Sequence, residues 1–510
     1  MKKAVIIGSG FAGLSAACFM ARAGWDVTVL EKQSTPGGRA RQLKEAGFTF
    51  DMGPSWYWMP EVFERFFNSF GKKVSDYYKL QRLDPSYRVY WADGPIDIPA
   101  DYEALKKLFE SIEPGSGIKL DSFMDEAAYK YEVGINKLVH KPGQSYAEFL
   151  DWDLVKGVFK LDVFTSMKKH ISKHFKNQKL QQLLEFPVLF LGALPENTPA
   201  LYSLMNYADI KLGTWYPHEG MYKIVEGMFR VAEELGVKFI FNSDVNEIKI
   251  KNNTATGVIA TTTNNPQDPA HEALRADEQL TTNNTYYADV VIGAADYHFI
   301  ETKLLPANCR SYSNQYWEKR VMAPSCLLYY VGLNKKLKGV LHHSLFFDSD
   351  FEIHGKEIYT TKQWPADPLF YVCTPSVTDE TVAPEGHENM FFLIPVATGL
   401  QGDTEELREV YFEKILERFE KYTGENIKDA VIYKKTYSVS NFISDYNSFK
   451  GNAYGLANTL MQTANLKPSC RSIKIKNLFY TGQLTVPGPG VPPGLISGEV
   501  VAKEATRHFG

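Results

Sequence analysis

Four groups of residues near the start of this chain have types and spacing suited to holding a phosphorylated ligand with ribose and ring parts. In Gly8-Ser9-Gly10-Phe11-Ala12-Gly13, the first glycine permits a tight turn and Gly10 lets backbone approach a pyrophosphate. Gly13 brings a helix against a sheet, and the N–H groups opening that helix face anionic oxygen. Glu31, with Lys32 beside it, follows about twenty residues later, where a carboxylate accepts hydrogen bonds from ribose hydroxyls. Gly37-Gly38-Arg39-Ala40-Arg41 places two guanidinium groups, forked donors for oxyanions, beside two glycines. Asp51-Met52-Gly53-Pro54-Ser55 adds a turn at which backbone can approach a ring.

The elements that must position these residues are legible around them. Val5-Ile6-Ile7 predicts a strand, Ala12 to Ala23 a helix ended by Gly24, and Val27 to Leu30 a second strand, together one βαβ unit. The second phosphate contact around Arg39 and Arg41 favours FAD over NAD. Ile292-Gly293-Ala294-Ala295 lacks the later glycines of a second fingerprint, so no separate nicotinamide domain is expected.

The fingerprint, Glu31, Gly37-Gly38-Arg39 and Asp51-x-Gly53-Pro54 resemble the flavoprotein superfamily of amine oxidases, protoporphyrinogen oxidase, carotenoid desaturases and GDP-dissociation inhibitors. Asn477-Leu478-Phe479-Tyr480-Thr481-Gly482, Pro487-Gly488-Pro489-Gly490-Val491-Pro492 and Ser497-Gly498 resemble the closing signature of bacterial-type phytoene desaturases. Leu191 to Pro195, Pro199 to Tyr202 and Gly213 to Pro217 extend the likeness between these motifs. Gln483-Leu484, Val486 and Glu219 depart from it, the last standing where a glycine is common. The resemblance implies FAD-dependent desaturation of a carotenoid, phytoene in successive steps towards lycopene, with a later hydroxylated or monocyclic carotene as the alternative. Another flavin oxidase of the same fold and a non-enzymatic prenyl-lipid escort are the further alternatives. It implies a long polyene substrate, a quinone or oxygen as electron acceptor, and peripheral attachment to the cytoplasmic membrane.

At 510 residues the chain is long enough for two domains, and a net charge of -4 argues against a nucleic-acid partner. Five scattered cysteines without a CxxC pair suggest neither a disulfide framework nor a zinc site and fit a reducing compartment. The first apolar run stops at Gly8, far short of a secretory core or of the roughly 18 apolar residues a spanning helix needs. The expected class is α/β: a Rossmann-like FAD-binding domain from residues 1–75, 225–305 and 465–510. An α+β substrate domain is expected from 76–224 and 306–464, with a helical membrane-associating region. Thr261 to Thr285, rich in Thr, Asn and acid, predicts a mobile hairpin loop.

Further cofactor contacts are expected along the returning chain. Val245 follows the strand Val237 to Phe241 at the position where the family contacts adenine through backbone. Phe479 to Gly482 predicts the last strand, leading to Gln483. Pro487 to Pro493 is too rich in Pro and Gly for helix, and a helix from about Gly494 to His508 aims its positive end at the flavin ring. Gly490, Val491 and Gly494 are the backbone positions expected nearest that ring.

Apolar residues accumulate between Leu180 and Tyr207, where Phe186, Phe190, Leu204 and Tyr207, with Trp215 beyond, are expected to line a substrate tunnel. Leu161, Phe164, Met167, Ile171 and Phe175 fall on one helical face, and the lysines around them predict a membrane-facing helix from Phe164 to Lys176. No residue identifies itself as a catalytic base. Glu185, Asp209 and His218 lie near the apolar segments, yet an ordinary polar role is favoured for each. His170 and His174 have metal-ligand spacing, but Lys168, Lys169, Lys173 and Lys176 favour a basic face, and His342-His343 is expected to be structural, with no thiolate or carboxylate cluster nearby.

Overall fold

The computed structural model describes residues 1–145, 148, 161–189, 192–263 and 281–510. Its strands along the chain are β1 Lys3–Ile7, β2 Asp26–Leu30, β3 Gln42–Glu45, β4 Phe48–Asp51, β5 Leu80–Arg82, β6 Tyr87–Trp91, β7 Gly94–Ile98, β8 Trp215–Pro217, β9 Lys238–Ile240 and β10 Ser243–Lys251. They continue as β11 Thr254–Thr263, β12 Thr281–Tyr287, β13 Val290–Gly293, β14 Ser325–Leu333, β15 His343–Phe346, β16 Phe370–Cys373, β17 Glu388–Val396, β18 Val431–Tyr437 and β19 Leu478–Tyr480. The principal helices are α1 Phe11–Arg22, α2 Pro60–Asn68, α3 Tyr102–Ile112, α4 Ser116–Val133, α5 Met167–His174 and α6 Gln178–Leu189. After them come α7 Tyr222–Glu234, α8 Glu405–Thr423, α9 Val439–Tyr446 and α10 Val491–Phe509.

A strand covered on both faces must be apolar on both, and Ala4, Val5, Ile6 and Ile7 are all buried. They form the centre of a five-stranded parallel sheet in the order β19-β13-β1-β2-β9, drawn from widely separated parts of the chain. Ala4 and Ile6 pack with α1, α7 and α10, while Val5 and Ile7 pack with β10, β11 and the segment around Tyr297. The period of two therefore separates two cores within one sheet.

A second body is built on the seven-stranded sheet β18-β14-β17-β16-β15-β6-β7. Leu327, Tyr329 and Val331 face α8 through Phe412 and Ile415. The alternating residues Cys326, Leu328 and Tyr330, with Leu345 and Tyr371, face the helices between Tyr102 and Leu212. Mixed helix and sheet in two such bodies accords with the expected class.

Three local expectations are corrected. α10 begins at Val491, so Pro492 and Pro493 lie in its first turn, where the missing proline N–H has no intrahelical partner to lose. The Thr-rich stretch is ladder at both ends, since β11 pairs with β12 as far as Thr263 and Thr281, and its centre lies outside the described residues. The stripe on α5 faces inward: Met167, Ile171 and Phe175 are fully buried in the core that contains Phe186, and Leu161 is buried beside Val133. Of that stripe only Phe164 is exposed. An apolar face already consumed by the core cannot insert into lipid, so the membrane-facing helix is not formed by α5. Among the described residues no helix is long and apolar enough to cross a membrane.

Candidate cofactor and substrate site

The turn after β1 has the shape the glycines predict. Gly8 adopts φ +101°, and a Cβ on Gly13 would lie 2.0 Å from the Gly8 carbonyl oxygen, so Gly13 is what allows α1 to seat on the turn. Gly10 differs: a Cβ there would meet only the Gly37 carbonyl oxygen, at 4.0 Å, and otherwise faces open space. Gly10 caps α1 without a side-chain acceptor, which leaves the first-turn N–H groups of Phe11, Ala12 and Gly13 directed at that space. Gly38, at φ +56°, closes on Gly10, where its Cβ would lie 3.3 Å from the Gly10 Cα.

Glu31 is buried at the tip of β2. Its Oε2 accepts from the Ser9 N–H and Ser9 hydroxyl, both at 2.7 Å, and Oε1 accepts from the Gln33 N–H at 2.9 Å. Oε2 is thereby filled, whereas Oε1 retains a lone pair for a further donor. The Ser243 N–H bonds the Glu31 carbonyl at 2.8 Å, which brings the start of β10, and hence Val245, to this end of the sheet.

A second helix start converges on the first. Gly494 on α10 lies so close that a Cβ would be 3.5 Å from Phe11 Cβ and 3.9 Å from the Ala12 nitrogen, and Gly482 faces Ala12 Cβ at 3.8 Å. Ser497 fixes this approach: its hydroxyl accepts from the Gly482 N–H at 3.0 Å and donates to the Val486 carbonyl at 2.8 Å. Gly490 precedes α10 at φ +111°, which reserves that position for glycine, and Val491 packs against the core of the parallel sheet.

The arginines divide. Arg39 donates through Nη2 to Ser448 Oγ at 2.8 Å, while its buried Nε has no partner. Burial pulls its pKa below the usual guanidinium value, with Asp296 opposing. Arg41 is otherwise placed than expected, since its fork is engaged with protein: Gln33 Oε1 at 2.6 Å, Asp445 Oδ2 at 2.6 Å and the Tyr446 hydroxyl at 3.1 Å. Lys32 likewise donates to the Ser444 carbonyl at 2.8 Å, and Gln483 Nε2 to Asn452 Oδ1 at 2.9 Å. The segment Ser444 to Asn452 is thus a strap over the cofactor motifs, which the sequence alone did not disclose. Gly53 serves the protein as well, because a Cβ would lie 2.4 Å from the Arg39 carbonyl oxygen. Asp51, half-buried and pushed up to about 7 by desolvation, accepts from the Met221 and Tyr222 N–H groups that open α7.

The residues present fit FAD. An uncapped helix start, an open glycine face, the remaining lone pair on Glu31 Oε1 and the orphan Nε of Arg39 are complementary to a pyrophosphate and a ribose. Beyond Pro54, Ser55 accepts from the Tyr371 hydroxyl at 3.0 Å and leads into an aromatic cluster. Trp56 stacks on His343 at 4.1 Å and meets Tyr87 at 5.4 Å and Phe186 at 6.0 Å. Phe186 and Leu204 belong to this core, and Tyr207 lies against it beside Tyr131. Trp215 does not: its indole N–H bonds the Leu212 carbonyl and its ring packs on the core of the parallel sheet. Phe190 and Leu191 lie outside the described residues. Trp56, Trp58, Tyr87 and Tyr371 were missed because isolated aromatics between motifs carry no period.

Of the three acid-base candidates only Asp209 reaches this cluster. It is buried, pushed up to about 7 by burial, and accepts from the Tyr87 hydroxyl at 2.8 Å and the Thr214 hydroxyl at 3.2 Å. Glu185, also raised to about 7 by burial, has Lys168, opposing, and Glu196 and Glu352 as its charged neighbours instead. His218 is held by its N–H to the Lys79 carbonyl and stands edge-on to Tyr216.

A family model described as flavin containing amine oxidoreductase matches residues 11–506. The chain is 40% identical over 500 residues to a carotenoid 3,4-desaturase of Haloarcula japonica, covering 98% of this chain and 97% of that one. It is 29% identical to a zeta-carotene-forming phytoene desaturase of Myxococcus xanthus, covering 98% and 93%. A solved putrescine oxidase variant superposes with a TM-score of 0.62 over 99% of this chain and 98% of the other at 13% identity, a likeness of fold.

Proposed function

Because the chain belongs to the flavin containing amine oxidoreductase family, on its carotenoid desaturase branch, and is an FAD-dependent oxidoreductase, we propose that it desaturates a carotenoid at the 3,4 position. The observation that carries this reading is the 40% identity along nearly the whole of both chains. The route from phytoene towards lycopene is the second reading, supported by the lower identity to a phytoene desaturase and by the closing motif from Asn477 to Gly498.

FAD supplies, when bound, a two-electron acceptor for the hydride lost from a saturated carbon. The first turns of α1 and α10 would hold it and favour negative charge. Ser55 and the half-buried Trp56 would position the apolar substrate against it, and the buried rings of Trp58, Tyr87 and Phe186 behind Trp56 would exclude water from the cation left by hydride loss. Conjugation with the polyene spreads that charge and lowers the demand for a strong base. Asp209 behind Tyr87 is the one titratable group of the three candidates placed to influence it.

Membrane contact is assigned to another surface than α5. Phe164 and Met461 are 81% and 69% exposed, and Leu460 and Leu466 each 36%. The two segments adjoin, since the Ala200 N–H bonds the Thr165 carbonyl and the Tyr202 hydroxyl bonds Thr463 Oγ1 at 2.8 Å. A surface there would give a bound cofactor access to a quinone in the bilayer, or to oxygen, as electron acceptor. The test is turnover of FAD-loaded protein in liposomes carrying phytoene, zeta-carotene or lycopene, with products resolved by chromatography and absorption. New unsaturation at the 3,4 position of the extended substrate supports the first reading. Conversion of phytoene alone supports the second, and loss of no hydrogen from any polyene overturns both.

A further inference from the structure

Three side chains of ligand type meet at one end of β15 and β16; His343 stacks on Trp56, but no proton, electron or bond change above is assigned to any of the three. His343 lies directly across from Cys373 in the antiparallel ladder, and His342 immediately precedes β15 with its ring edge-on to that of His343 at 4.5 Å. One ligand atom from each of His342, His343 and Cys373 can be chosen so that all lie within 4.8 Å of one another. The three residues are 5%, 0% and 4% exposed.

The hydrogen bonds orient both imidazoles. His343 Nδ1 is 2.7 Å from the Tyr371 hydroxyl, which itself donates to Ser55 Oγ at 3.0 Å. That direction puts the proton on Nδ1 of His343 and a lone pair on Nε2. His342 Nδ1 is 2.9 Å from Thr378 Oγ1. Neither Nε2 has a hydrogen-bond partner. An orphaned buried polar atom costs about 1–3 kcal/mol, and two unpartnered ring nitrogens on adjacent residues that cluster with a thiol point to one shared partner. Imidazoles anchored at one nitrogen by an outer group and offering the other are arranged as metal ligands are. Burial keeps both rings neutral, the form that ligates, with His342 pulled down to about 3.

We propose that His342, His343 and Cys373 form a binding site for Zn(II), with a fourth position opening into the adjoining cavity. That cavity, of about 20 Å³, is lined by Asp51, Ser55, Tyr216, His342 and Cys373, and holds about one water-sized ligand. On binding, the Cys373 thiol releases its proton to solvent as the sulfur–metal bond forms, and two imidazole nitrogens donate lone pairs; no oxidation state changes. Zinc distances of about 2.0–2.1 Å to nitrogen and 2.3 Å to sulfur require neighbouring ligands roughly 3.3–3.7 Å apart, so closure draws the side chains together by about 1 Å. The thiolate offsets one positive charge, and the Asp51 carboxylate at the cavity wall offsets the second.

The other cluster of ligand types, Glu126, His170 and His174, is unlike this one. The Lys130 ammonium stands 3.3 Å from His170 Nε2 and pairs with Asp162 at 3.0 Å, so a cation already fills the place of the metal.

The test takes the full chain with FAD bound, strips it with chelator and titrates it with Zn(II) or Co(II). About one equivalent should survive gel filtration in the wild type and in His174→Gln, and the Co(II) form should show a thiolate-to-metal charge-transfer band in the near ultraviolet. Cys373→Ser and His342→Gln should keep the flavin spectrum yet lose the band and at least about 100-fold in zinc affinity. Wild-type protein that shows no such band with Co(II) overturns the site whether or not the variants fold. So does zinc retained equally by Cys373→Ser, or lost in His174→Gln alone.

Discussion

Replacing Gly10 by alanine separates the cofactor's needs from the protein's. At φ -70° and ψ 178° the position is open to any residue, and the new methyl would meet nothing nearer than 4.0 Å. The apo fold should therefore change little: reduced freedom of the unfolded chain contributes about 0.4–1 kcal/mol of stability, and the poorer helix cap costs a similar amount. The methyl does occupy the face open to the pyrophosphate. Displacing that group weakens hydrogen bonds to charged oxygens worth about 1.5–3 kcal/mol each. If two are weakened and water recovers part of the loss, binding falls by roughly 2–4 kcal/mol, about 30- to 900-fold in FAD affinity. Gly13→Ala is the contrast, because its methyl would sit 2.0 Å from the Gly8 carbonyl oxygen and must displace backbone. It should cost the apo protein about 2–4 kcal/mol. Urea unfolding of both apo variants, with FAD titrations followed by flavin fluorescence, measures the two quantities. FAD affinity within threefold of wild type in Gly10→Ala, or an apo fold weakened as much as in Gly13→Ala, would refute the reasoning.

Glu31→Ala removes the acceptor of the Ser9 and Gln33 N–H groups as well as that of the ribose; equilibrium dialysis should find FAD bound about 10- to 100-fold more weakly. Asp209, whose pKa rises to about 7 in the fold, binds a proton there that the unfolded chain releases near 4. The contribution of this group to stability should therefore be greatest below about pH 4, fall as pH rises towards about 7 and level off above, by up to about 4 kcal/mol. Asp209→Asn should flatten part of that slope in urea midpoints taken at pH 5 and 8, and an unchanged slope removes Asp209 as its source. Phe164→Ser with Met461→Ser should abolish sedimentation with liposomes while leaving the flavin spectrum intact; full sedimentation places the membrane contact elsewhere. Glu185→Gln should leave turnover within about threefold of wild type by product chromatography, whereas loss of turnover with FAD and substrate still bound identifies the base.

What was legible was local. The strand, turn, helix and acid from Lys3 to Glu31 declare themselves within one window because each residue answers to its immediate neighbours. The strap did not, because Ser448 meets Arg39 across 409 positions through an ordinary serine. Arg41 looked like a phosphate ligand by type, yet charge complementarity with Asp445 decided its placement. Periodicity on α5 correctly marked a buried face but could not say what buries it. Glu219 shows the converse, a departure from the family's glycine with a visible consequence: it is held at φ +69°, the conformation glycine adopts without strain.

The contact between α1 and α10 has a bearing on how the chain is made. Leu14, Ala16 and Ala17 are buried in the same core as Leu495, Val501 and Ala502, and Ser15 Oγ bonds the Leu495 carbonyl across 480 positions. A ribosome adds about 5–20 residues per second, so the N-terminal unit waits on the order of half a minute to a minute and a half before its cover emerges. During that interval an apolar helix and the edges of β1 and β2 stand open, the situation in which chaperones engage nascent chains. The half of the cradle contributed by Gly482 and Gly494 does not exist until those residues have emerged, so the complete site for the vitamin-derived cofactor forms only then.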